Sequence, residues 1–437
     1  MPTSILLRIL IVLCSLTSAA HFLRFGSFWD AVPALVPMLA LVSPRLVPRP
    51  LLVLAALGGC ALWAYNGYTL ALWRISFGLP WLRLVAILGA VSATHMLTAW
   101  LVLQKTGTRL FGSMDKTAWA QTSAALVVGG LLTAMTIKAP TPFLLGERFW
   151  PGTSPVWIAL FALYASFVLH ALVTEPRART RSRIWALFTV VFFGQLLLGL
   201  AGWTAFLMTG NVHLPVPALI IAGPLFRGQG LFMPILLGVS LLFVGPAWCS
   251  YLCYIGAWDD RMARLASGKP KALPAWAPRV RMGILICTVA LPVLLRVLGV
   301  PVLWAAAGGG IFGLCGIAIM LTWSRHTGTM THCTVWCPIG LLNNLVGRIL
   351  PWRVRMNQDC TRCGACATAC RYNALRPEDI AHKRPGPTCT LCGDCISRCP
   401  HGHLHYAFPG LGPEMARHVF LTLAVSLHTL FLAVARM

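Results

Sequence analysis

Apolar runs of about 20 residues recur along most of the chain, and they constrain the fold more than any other feature. In lipid every backbone N–H and C=O group must be hydrogen-bonded within the protein, so such runs predict membrane-spanning helices. They lack the alternation of apolar and polar residues that barrel strands require. Only 11% of the 437 residues are charged, against about a quarter in soluble proteins. The sequence therefore predicts an all-α polytopic membrane protein.

About eleven spans account for the apolar runs. They cover residues 5–20, 31–42, 51–68, 82–103, 118–137, 156–174, 184–208, 231–256, 280–298, 302–323 and 419–435. The second is the weakest, because it is short and contains Pro33 and Pro37. The first resembles a signal peptide near Thr17, but Leu13 precedes Cys14 where a lipoprotein signal requires a small residue. We therefore expect an uncleaved first span.

The net charge of +24 is spread over short loops rather than pooled in one patch, so no nucleic-acid partner is expected. Alternate loops differ in charge, and the strongly basic set contains Arg45, Arg49, Lys105, Arg109, Lys116, Arg177, Arg179, Arg181, Arg183, Arg261, Arg264, Lys269, Lys271, Arg279 and Arg281. The positive-inside rule makes this set cytoplasmic. The sequence thus predicts a protein of the bacterial inner (cytoplasmic) membrane with its N-terminus inside and its C-terminus in the periplasm. This topology is self-consistent only if the second span is counted.

Eight of the 16 cysteines form two runs with the pattern C-x2-C-x2-C-x3-C. The first run is Cys360, Cys363, Cys366 and Cys370; the second is Cys389, Cys392, Cys395 and Cys399, followed by Pro400. Each cysteine of the first run has a counterpart 29 residues later, which indicates an internal duplication. We expect a small α+β module of the bacterial 2[4Fe–4S] ferredoxin type, inserted before the last helix and on the cytoplasmic side.

The spacing of the eight cysteines assigns them to two [4Fe–4S] clusters. Three close cysteines surround one cluster, Gly364 and Gly393 permit the tight turn, and the fourth cysteine reaches the other cluster. The first cluster is predicted to bind Cys360, Cys363, Cys366 and Cys399, and the second Cys389, Cys392, Cys395 and Cys370. Zinc knuckles are the alternative, but these use separated C-x2-C pairs. One departure is Arg371, which occupies a position where proline often follows the fourth cysteine.

A second repeat lies at the predicted cytoplasmic ends of two spans. Cys249-Ser-Tyr-Leu-Cys253-Tyr-Ile-Gly is echoed by Cys333-Thr-Val-Trp-Cys337-Pro-Ile-Gly. Residues i and i+4 share a helix face, so each pair is expected to point both sulfurs the same way. The four thiols are candidates for a redox or metal site: they could hold a metal, form redox-active disulfides or flank a quinol site. The alternative is that they pack as small buried residues.

This combination of membrane spans, paired C-x3-C motifs and an eight-cysteine module resembles the NapH/NosR family of membrane [4Fe–4S] quinol dehydrogenases, which are polyferredoxin-like electron-transport proteins. The resemblance covers about residues 184–405. It implies quinol oxidation in the membrane, with electrons delivered towards a periplasmic reductase. By this resemblance Cys249, Cys253, Cys333 and Cys337 correspond to the family's membrane-edge motifs. One departure is Tyr254, which replaces the proline of the first motif.

The chain is predicted to contain an N-terminal membrane module of about six helices (residues 1–180), a NapH/NosR-like core (181–350), a ferredoxin-like module (351–410) and a last membrane helix (411–437). The leading hypothesis is electron transfer between the quinone pool and a partner, which is a further redox subunit or a periplasmic carrier. The only other expected contact is with membrane lipid. A maturation factor for a metallo-enzyme, acting as a metal or thiol reductase as the related FixG/RdxA-type proteins do, and a membrane redox sensor are the alternatives.

Several histidines are further candidates. His95 and His170 lie within spans and could bind a b-type haem, but no second pair lies at a matching depth, so haem is not expected. His213 begins a proline-rich segment, residues 213–230, that is predicted to be an outer loop partly re-entering the membrane and poor material for a helix. This histidine could take a quinol proton. The remaining candidates follow the second cysteine run as a surface group and are His401, His403 and His405.

Overall fold

The computed structural model describes residues 2–139, 141–175, 177–207 and 214–435. These residues are mainly helical, and ten of their helices are long and apolar enough to cross a membrane. The prediction of a polytopic helical membrane protein is therefore confirmed. The chain divides into two compact units, Met1–Val173 and Thr174–Met437.

The first unit is a bundle of long apolar helices. Its helices are α1 (Pro2–Arg24), α2 (Phe28–Ala34), α3 (Leu39–Val42), α4 (Arg49–Ser76), α5 (Leu82–Leu103), α6 (Lys105–Phe111), α7 (Lys116–Lys138) and α8 (Ser154–Thr174). Helices α4 and α5 pack along each other, and α1 packs on α5. Their shared core includes Leu7, Ile11, Leu52 and Val102. The buried Arg49 closes the end of α5 by donating to the carbonyl oxygen of Val102 at 2.7 Å.

The predicted second span, residues 31–42, is not one helix. It is divided between α2, a 3-10 turn at Val36–Met38 and α3. Proline supplies no N–H and clashes with the preceding turn, so Pro33 and Pro37 account for the interruption. The apolar segment Phe28–Val42 is shorter than the ten helices that could cross a membrane.

The second unit combines membrane helices with the ferredoxin-like module. Its helices are α9 (Arg177–Leu200), α10 (Leu219–Arg227), α11 (Phe232–Val244), α12 (Trp248–Tyr251), α13 (Tyr254–Arg264), α14 (Ala277–Val297), α15 (Val302–Ile319), α16 (Arg325–Thr327), α17 (Pro338–Gly347), α18 (Pro377–Ala381), α19 (Asp394–Arg398) and α20 (Pro413–Val434). Two π-helical turns, Met320–Ser324 and His332–Trp336, flank α16. Single-turn π-helices are frequent at functional sites.

Two expectations about this unit are wrong. The proline-rich segment contains a nine-residue helix, α10, with Pro224 inside it. This helix packs on α14, and Leu219 and Val216 fit against Gly309 and Gly313 of α15, where a Cβ would leave too little space. Helix α9 begins at Arg177 rather than near residue 184, so its first arginines belong to a helix and not to a loop.

The ferredoxin-like module is closed by two short antiparallel strands, β1 (Arg353–Met356) and β2 (Leu404–Ala407). Arg353 pairs with Ala407 and Met356 with Leu404, so the strands bring the two ends of the module together. Helix α20 packs on β2, and the Phe420 ring stacks on Tyr406 with centroids 4.3 Å apart. The module is therefore held between α17 on one side and α20 on the other.

Candidate functional site

The eight cysteines of the module line two cavities. The first cysteine cavity has an empty volume of about 280 Å³ and is lined by Cys360, Cys363, Cys366 and Cys399. The second cysteine cavity, of about 330 Å³, is lined by Cys370, Cys389, Cys392 and Cys395. In each, three cysteines come from one run and the fourth from the other run. These are the two sets that the spacing assigns to separate clusters, so the donor sets fit the cofactor that the sequence implies.

The duplication is also visible in the backbone. Gly364 and Gly393 have φ of +74° and +79°. Arg362 and Leu391, at equivalent positions, have φ of +54° and +55°, a region that side chains other than glycine rarely adopt. The same left-handed turn is thus built twice, 29 residues apart. It costs conformational energy at both copies, which indicates that the turn serves the cavity and not chain stability alone.

The spacing of the thiols distinguishes a cluster from a single ion. Four sulfurs bound to one Zn²⁺ at about 2.3 Å must lie within about 4 Å of each other. Among the residues that the structure describes, no group of three or more His, Cys, Asp or Glu side chains could hold one metal ion. Sulfurs that bind four different irons do not need to be so close. The two sets, each with three cysteines from one run and the fourth from the other, favour iron–sulfur ligation over zinc knuckles with separated C-x2-C pairs.

The cysteines of the second cavity are half-buried or, at Cys395, buried. Burial raises the pKa of Cys370, Cys389 and Cys392 to about 12 and that of Cys395 well above its usual value. Each is therefore a neutral thiol at neutral pH until a metal displaces its proton. By contrast, Cys363 of the first cavity is exposed. Cys363 is thus the most accessible of the eight cysteines.

The C-x3-C motifs form a second group, here called the cysteine quartet: Cys249, Cys253, Cys333 and Cys337. All four are buried and none forms a disulfide. Cys253 and Cys337 are the N-cap residues of α13 and α17, with φ/ψ of −83°/111° and −77°/117°. The two motifs thus have the same backbone geometry, although Tyr254 follows one and Pro338 the other. Replacement of the proline by Tyr254 leaves the start of the helix unchanged.

The four quartet thiols act on each other electrostatically. Burial raises the pKa of Cys333 well above its usual value, and the charges of Cys337, Cys253 and Cys249 raise it further, together with that of Asp259. Cys249 accepts a hydrogen bond from Asn343 Nδ2 at 3.0 Å. The structure therefore brings all four predicted residues into one buried site.

Two further polar side chains adjoin the quartet. Asp259 Oδ2 accepts a hydrogen bond from the Cys333 backbone N–H at 2.9 Å, and burial raises the pKa of this acid to about 6. Arg281 Nη2 donates to Asn344 Oδ1 at 2.7 Å. Asp259 is fully buried, and Arg281 is only 6% exposed.

The peptide that carries the first quartet motif lies directly on the second cysteine cavity. The Tyr251 hydroxyl donates to the carbonyl oxygen of Cys392 at 3.1 Å, and Ser250 Oγ donates to that of Thr390 at 2.9 Å. Tyr372 packs in one buried cluster with Cys333, and Cys392 packs against it. The two sites therefore share a protein wall, with no solvent layer between these groups.

A buried ion-pair network joins the module to the membrane helices. Arg181 donates to both carboxylate oxygens of Asp394, at 3.0 and 2.7 Å, and to Asp260 Oδ1 at 3.2 Å. Arg264 also contacts both carboxylates. Burial alone would raise the pKa of Asp260, but Arg181 and Arg264 hold it below its usual value. Asp394 stands between Cys392 and Cys395, so the network reaches the second cysteine cavity.

Arg371 has a role that its position in the motif does not suggest. Its Nη1 donates to the carbonyl oxygens of Ala263 and Gly328, each at 2.9 Å, and its own carbonyl oxygen accepts from the Met330 N–H at 2.8 Å. Proline at this position could make none of the side-chain contacts. The departure from the motif therefore adds an attachment between the module and the membrane helices.

The candidate histidines take different positions. His95 contacts Ser18 Oγ at 3.2 Å and the Val91 carbonyl oxygen at 3.0 Å, so both ring nitrogens are engaged in helix packing. His170 lies on α8. The proposed proton acceptor His213 lies outside the described residues. His401 and His403 line the mouth of the first cysteine cavity, whereas His405 lies on β2.

Sequence reasoning missed the residues around the quartet. Arg181 and Arg281 were assigned to basic loops, and Asp259, Asp260 and Asn343 were not singled out. A signal was available for the acids: the chain has only 11 Asp and Glu, and two of them follow the first quartet motif directly. The buried His332, next to Cys333, was missed as well. Burial lowers the pKa of His332 to about 4.

Cysteine cavities of this kind, on a helical protein with many apolar spans, define an iron–sulfur electron-transport protein of the multi-pass membrane type. Comparisons with known proteins agree. Residues 230–272 and 306–357 match a family described as "4Fe-4S binding domain", and residues 354–376 match a second family with the same description. The first of these matches contains the whole cysteine quartet.

One similar protein is the "Putative electron transport protein YccM" of Escherichia coli (strain K12). It is 25% identical over 198 residues, which cover 39% of this chain and 54% of the relative. The match thus spans about half the length of that curated relative. No solved structure matches the chain.

Proposed function

We propose that the protein moves electrons between the quinone pool and a partner redox protein through two [4Fe–4S] clusters, as a quinol dehydrogenase of the NapH/NosR type. Cys360, Cys363, Cys366 and Cys399 hold one cluster, and Cys370, Cys389, Cys392 and Cys395 hold the other. The cysteine quartet lies on the side where quinol reacts. Residues 181–350 form the electron-entry core, residues 351–410 the ferredoxin-like module, and residues 411–437 the helix that anchors it.

The observation that supports this proposal most is the contact between the first quartet motif and the second cysteine cavity. Tyr251 and Ser250, which lie inside that motif, donate to the carbonyl oxygens of Cys392 and Thr390. On the second motif's helix, Asn344 Nδ2 donates to the Cys389 carbonyl oxygen at 3.0 Å. A group that reacts at the quartet is therefore separated from the second cavity only by bonded and packed protein.

Oxidation of a quinol to a quinone releases two electrons and two protons. When bound, a [4Fe–4S] cluster accepts and returns one electron at a time, so each quinol requires two such steps. Buried residues of the chain shape the site where this electron exchange is proposed. Arg181 fixes Asp394 beside the second cavity, and the buried walls around Cys333 exclude water. Asp259 Oδ1 accepts no hydrogen bond from any described residue, which leaves a buried acceptor atom beside the quartet.

The exposures of the two cavities give the order of the path. Cys363 of the first cavity is exposed, whereas the cysteines of the second cavity are half-buried or buried and adjoin the quartet motif through Tyr251 and Ser250. We infer that electrons enter at the quartet side, pass the second cavity and then the first, and leave to a partner that binds over Cys363. That partner is a further redox subunit, or a protein that passes electrons on to a periplasmic carrier.

We propose that the protein lies in the bacterial inner membrane with the module in the cytoplasm and the C-terminus in the periplasm. The basic residues in the first turns of α9 and those in and after α13 support this orientation. A cytoplasmic N-terminus further requires that Phe28–Val42 cross the membrane. Reporter fusions at both termini test these assignments, and a cytoplasmic C-terminus would contradict the orientation.

The function is tested on the anaerobically purified full-length protein in lipid nanodiscs. Adding a quinol should bleach the visible absorbance of the clusters and produce the electron paramagnetic resonance signals of reduced [4Fe–4S] clusters. The Cys333→Ser variant should lose this response, whereas Cys287→Ser, which changes an exposed cysteine on α14, should retain it. Clusters that dithionite reduces but quinol does not, and that quinone cannot reoxidise, would refute the quinone assignment and favour a metal or thiol reductase.

A further inference from the structure

The cysteine quartet is built by two copies of one local structure. In the first copy, a Cβ on Gly256 would lie 3.0 Å from the carbonyl oxygen of Cys249. In the second, a Cβ on Gly340 would lie 2.5 Å from the carbonyl oxygen of Cys333. Each glycine thus allows the start of a helix to pack on the first cysteine of its own motif. If the four cysteines were only small buried side chains, the two motifs would not need the same local structure. A site that presents two sulfurs from each motif at a fixed spacing does need it.

Both copies also direct backbone donors at sulfur. The N–H groups of Ile255 and Gly256 lie at the sulfur of Cys253, and those of Ile339 and Gly340 lie at the sulfur of Cys337. These donors are the unpaired N–H groups at the start of α13 and α17, where negative charge is stabilised. A neutral thiol is a weak acceptor and makes little use of them. The geometry is that of a site for sulfur in its anionic, metal-binding form.

The surroundings carry a positive charge that needs a counter-charge. Arg281 is buried, and its Nε donates to no described residue. Its Nη2 donates to Asn344, which is neutral. The cysteines that act on this guanidinium electrostatically are Cys249, Cys337 and Cys333. A buried cation is stable only when paired, so the site offers a place for negative charge beside Arg281.

We propose that Cys249, Cys253, Cys333 and Cys337 ligate a third [4Fe–4S] cluster. Four thiolates on such a cluster carry net negative charge, which pairs with Arg281, and Asn343 Nδ2 donates to the Cys249 sulfur as in clusters tuned by N–H···S bonds. No disulfide joins the quartet, and no described group of side chains could hold a single metal ion. The match to a family described as "4Fe-4S binding domain" contains the four residues.

The location of the quartet indicates where a third cluster would stand in the electron-transfer path. Tyr251 links the quartet motif to Cys392, and Tyr372 packs between Cys333 and the second cysteine cavity. A cluster here is therefore the next carrier after the quinone and before the second cavity. The position of the third cluster between quinone and the second cavity rests on the proposed function. Its ligation by the four cysteines does not.

Iron and acid-labile sulfide are counted per chain in the anaerobically purified full-length protein. Three clusters give about twelve irons, and the double variant Cys249→Ser/Cys333→Ser should keep about eight. The matched control Cys287→Ser/Cys315→Ser changes two exposed cysteines on membrane helices and should keep about twelve. Retention of the remaining irons shows that the double variant has folded.

The wild-type count is decisive even if the double variant does not fold. About eight irons in the wild type would overturn the third cluster, as would stoichiometric zinc or copper in place of the additional iron. A second variant, Asn343→Leu, should keep the irons but change the Mössbauer or paramagnetic resonance spectrum of one cluster, because it removes the donor to the Cys249 sulfur. No count depends on quinol, so failure of the quinone assignment would leave this result unaffected.

Discussion

Replacing Arg181 by methionine should loosen the module from the membrane helices more than any other single exchange at this contact. The guanidinium is 1% exposed, and it pairs with Asp260 and Asp394, whose side chains are 1% and 3% exposed. Removing one partner of a buried ion pair costs about 3–5 kcal/mol, because the remaining charge stays buried. Arg264 still contacts both carboxylates, at 2.7 and 3.1 Å, so the lower end of this range is expected.

A loss of about 3 kcal/mol corresponds to a decrease in melting temperature on the order of 10 °C for a unit of this size. The visible absorbance of the clusters during heating reports it, since the second cysteine cavity adjoins Asp394. The matched control is Arg183→Met, an exposed arginine on the same helix, which should change stability by less than about 0.5 kcal/mol. The double variant with Asp394→Asn should melt above Arg181→Met alone. Equal melting of the Arg181 and Arg183 variants would refute the ion-pair argument.

Three further outcomes are expected. Arg371→Ala removes two hydrogen bonds to the membrane helices and should lower the melting temperature of the module while leaving its iron content unchanged; loss of iron would contradict this. Cys370→Ser and Cys363→Ser should each remove one cluster, but a different one, so their paramagnetic resonance spectra should differ from each other; identical spectra would contradict the two ligand sets. The pKa of Asp260 is lowered in the folded protein, so its contribution to stability is fully present above pH about 3.8 and is lost only as pH falls through the lowered value. The melting temperatures of wild type and Asp260→Asn should therefore differ by the same amount at pH 5 and at pH 8.

The sequence predicts what is encoded locally. Long apolar runs determine the membrane helices, because lipid leaves the backbone no other choice. The duplicated spacing places Gly364 and Gly393 in equivalent turns, and the structure confirms the same left-handed conformation at both. The duplicated spacing also predicts which cysteines line each cavity. The helices and turns depend on neighbouring residues, and the two cysteine sets follow from a spacing that the sequence repeats after 29 residues.

Contacts between distant segments could not be predicted in the same way. Arg181 and Asp394 are separated by 213 residues, and the charge rule for loops places that arginine in water. Proline rules misjudged α10, since Pro224 lies in a helix held by packing against α14. The same rules correctly marked the weak span at Pro33. Tertiary packing decided these cases, and local sequence patterns do not encode it.

The module is attached at both ends, by α17 before β1 and by the membrane helix α20 after β2, and the paired strands hold those ends together. A carrier attached at one end can swing between its donor and its acceptor; one clamped at both ends cannot. Any exchange with a soluble partner must then wait for that partner to arrive. Raising the viscosity of the solution should slow this encounter and leave electron movement inside the protein unchanged.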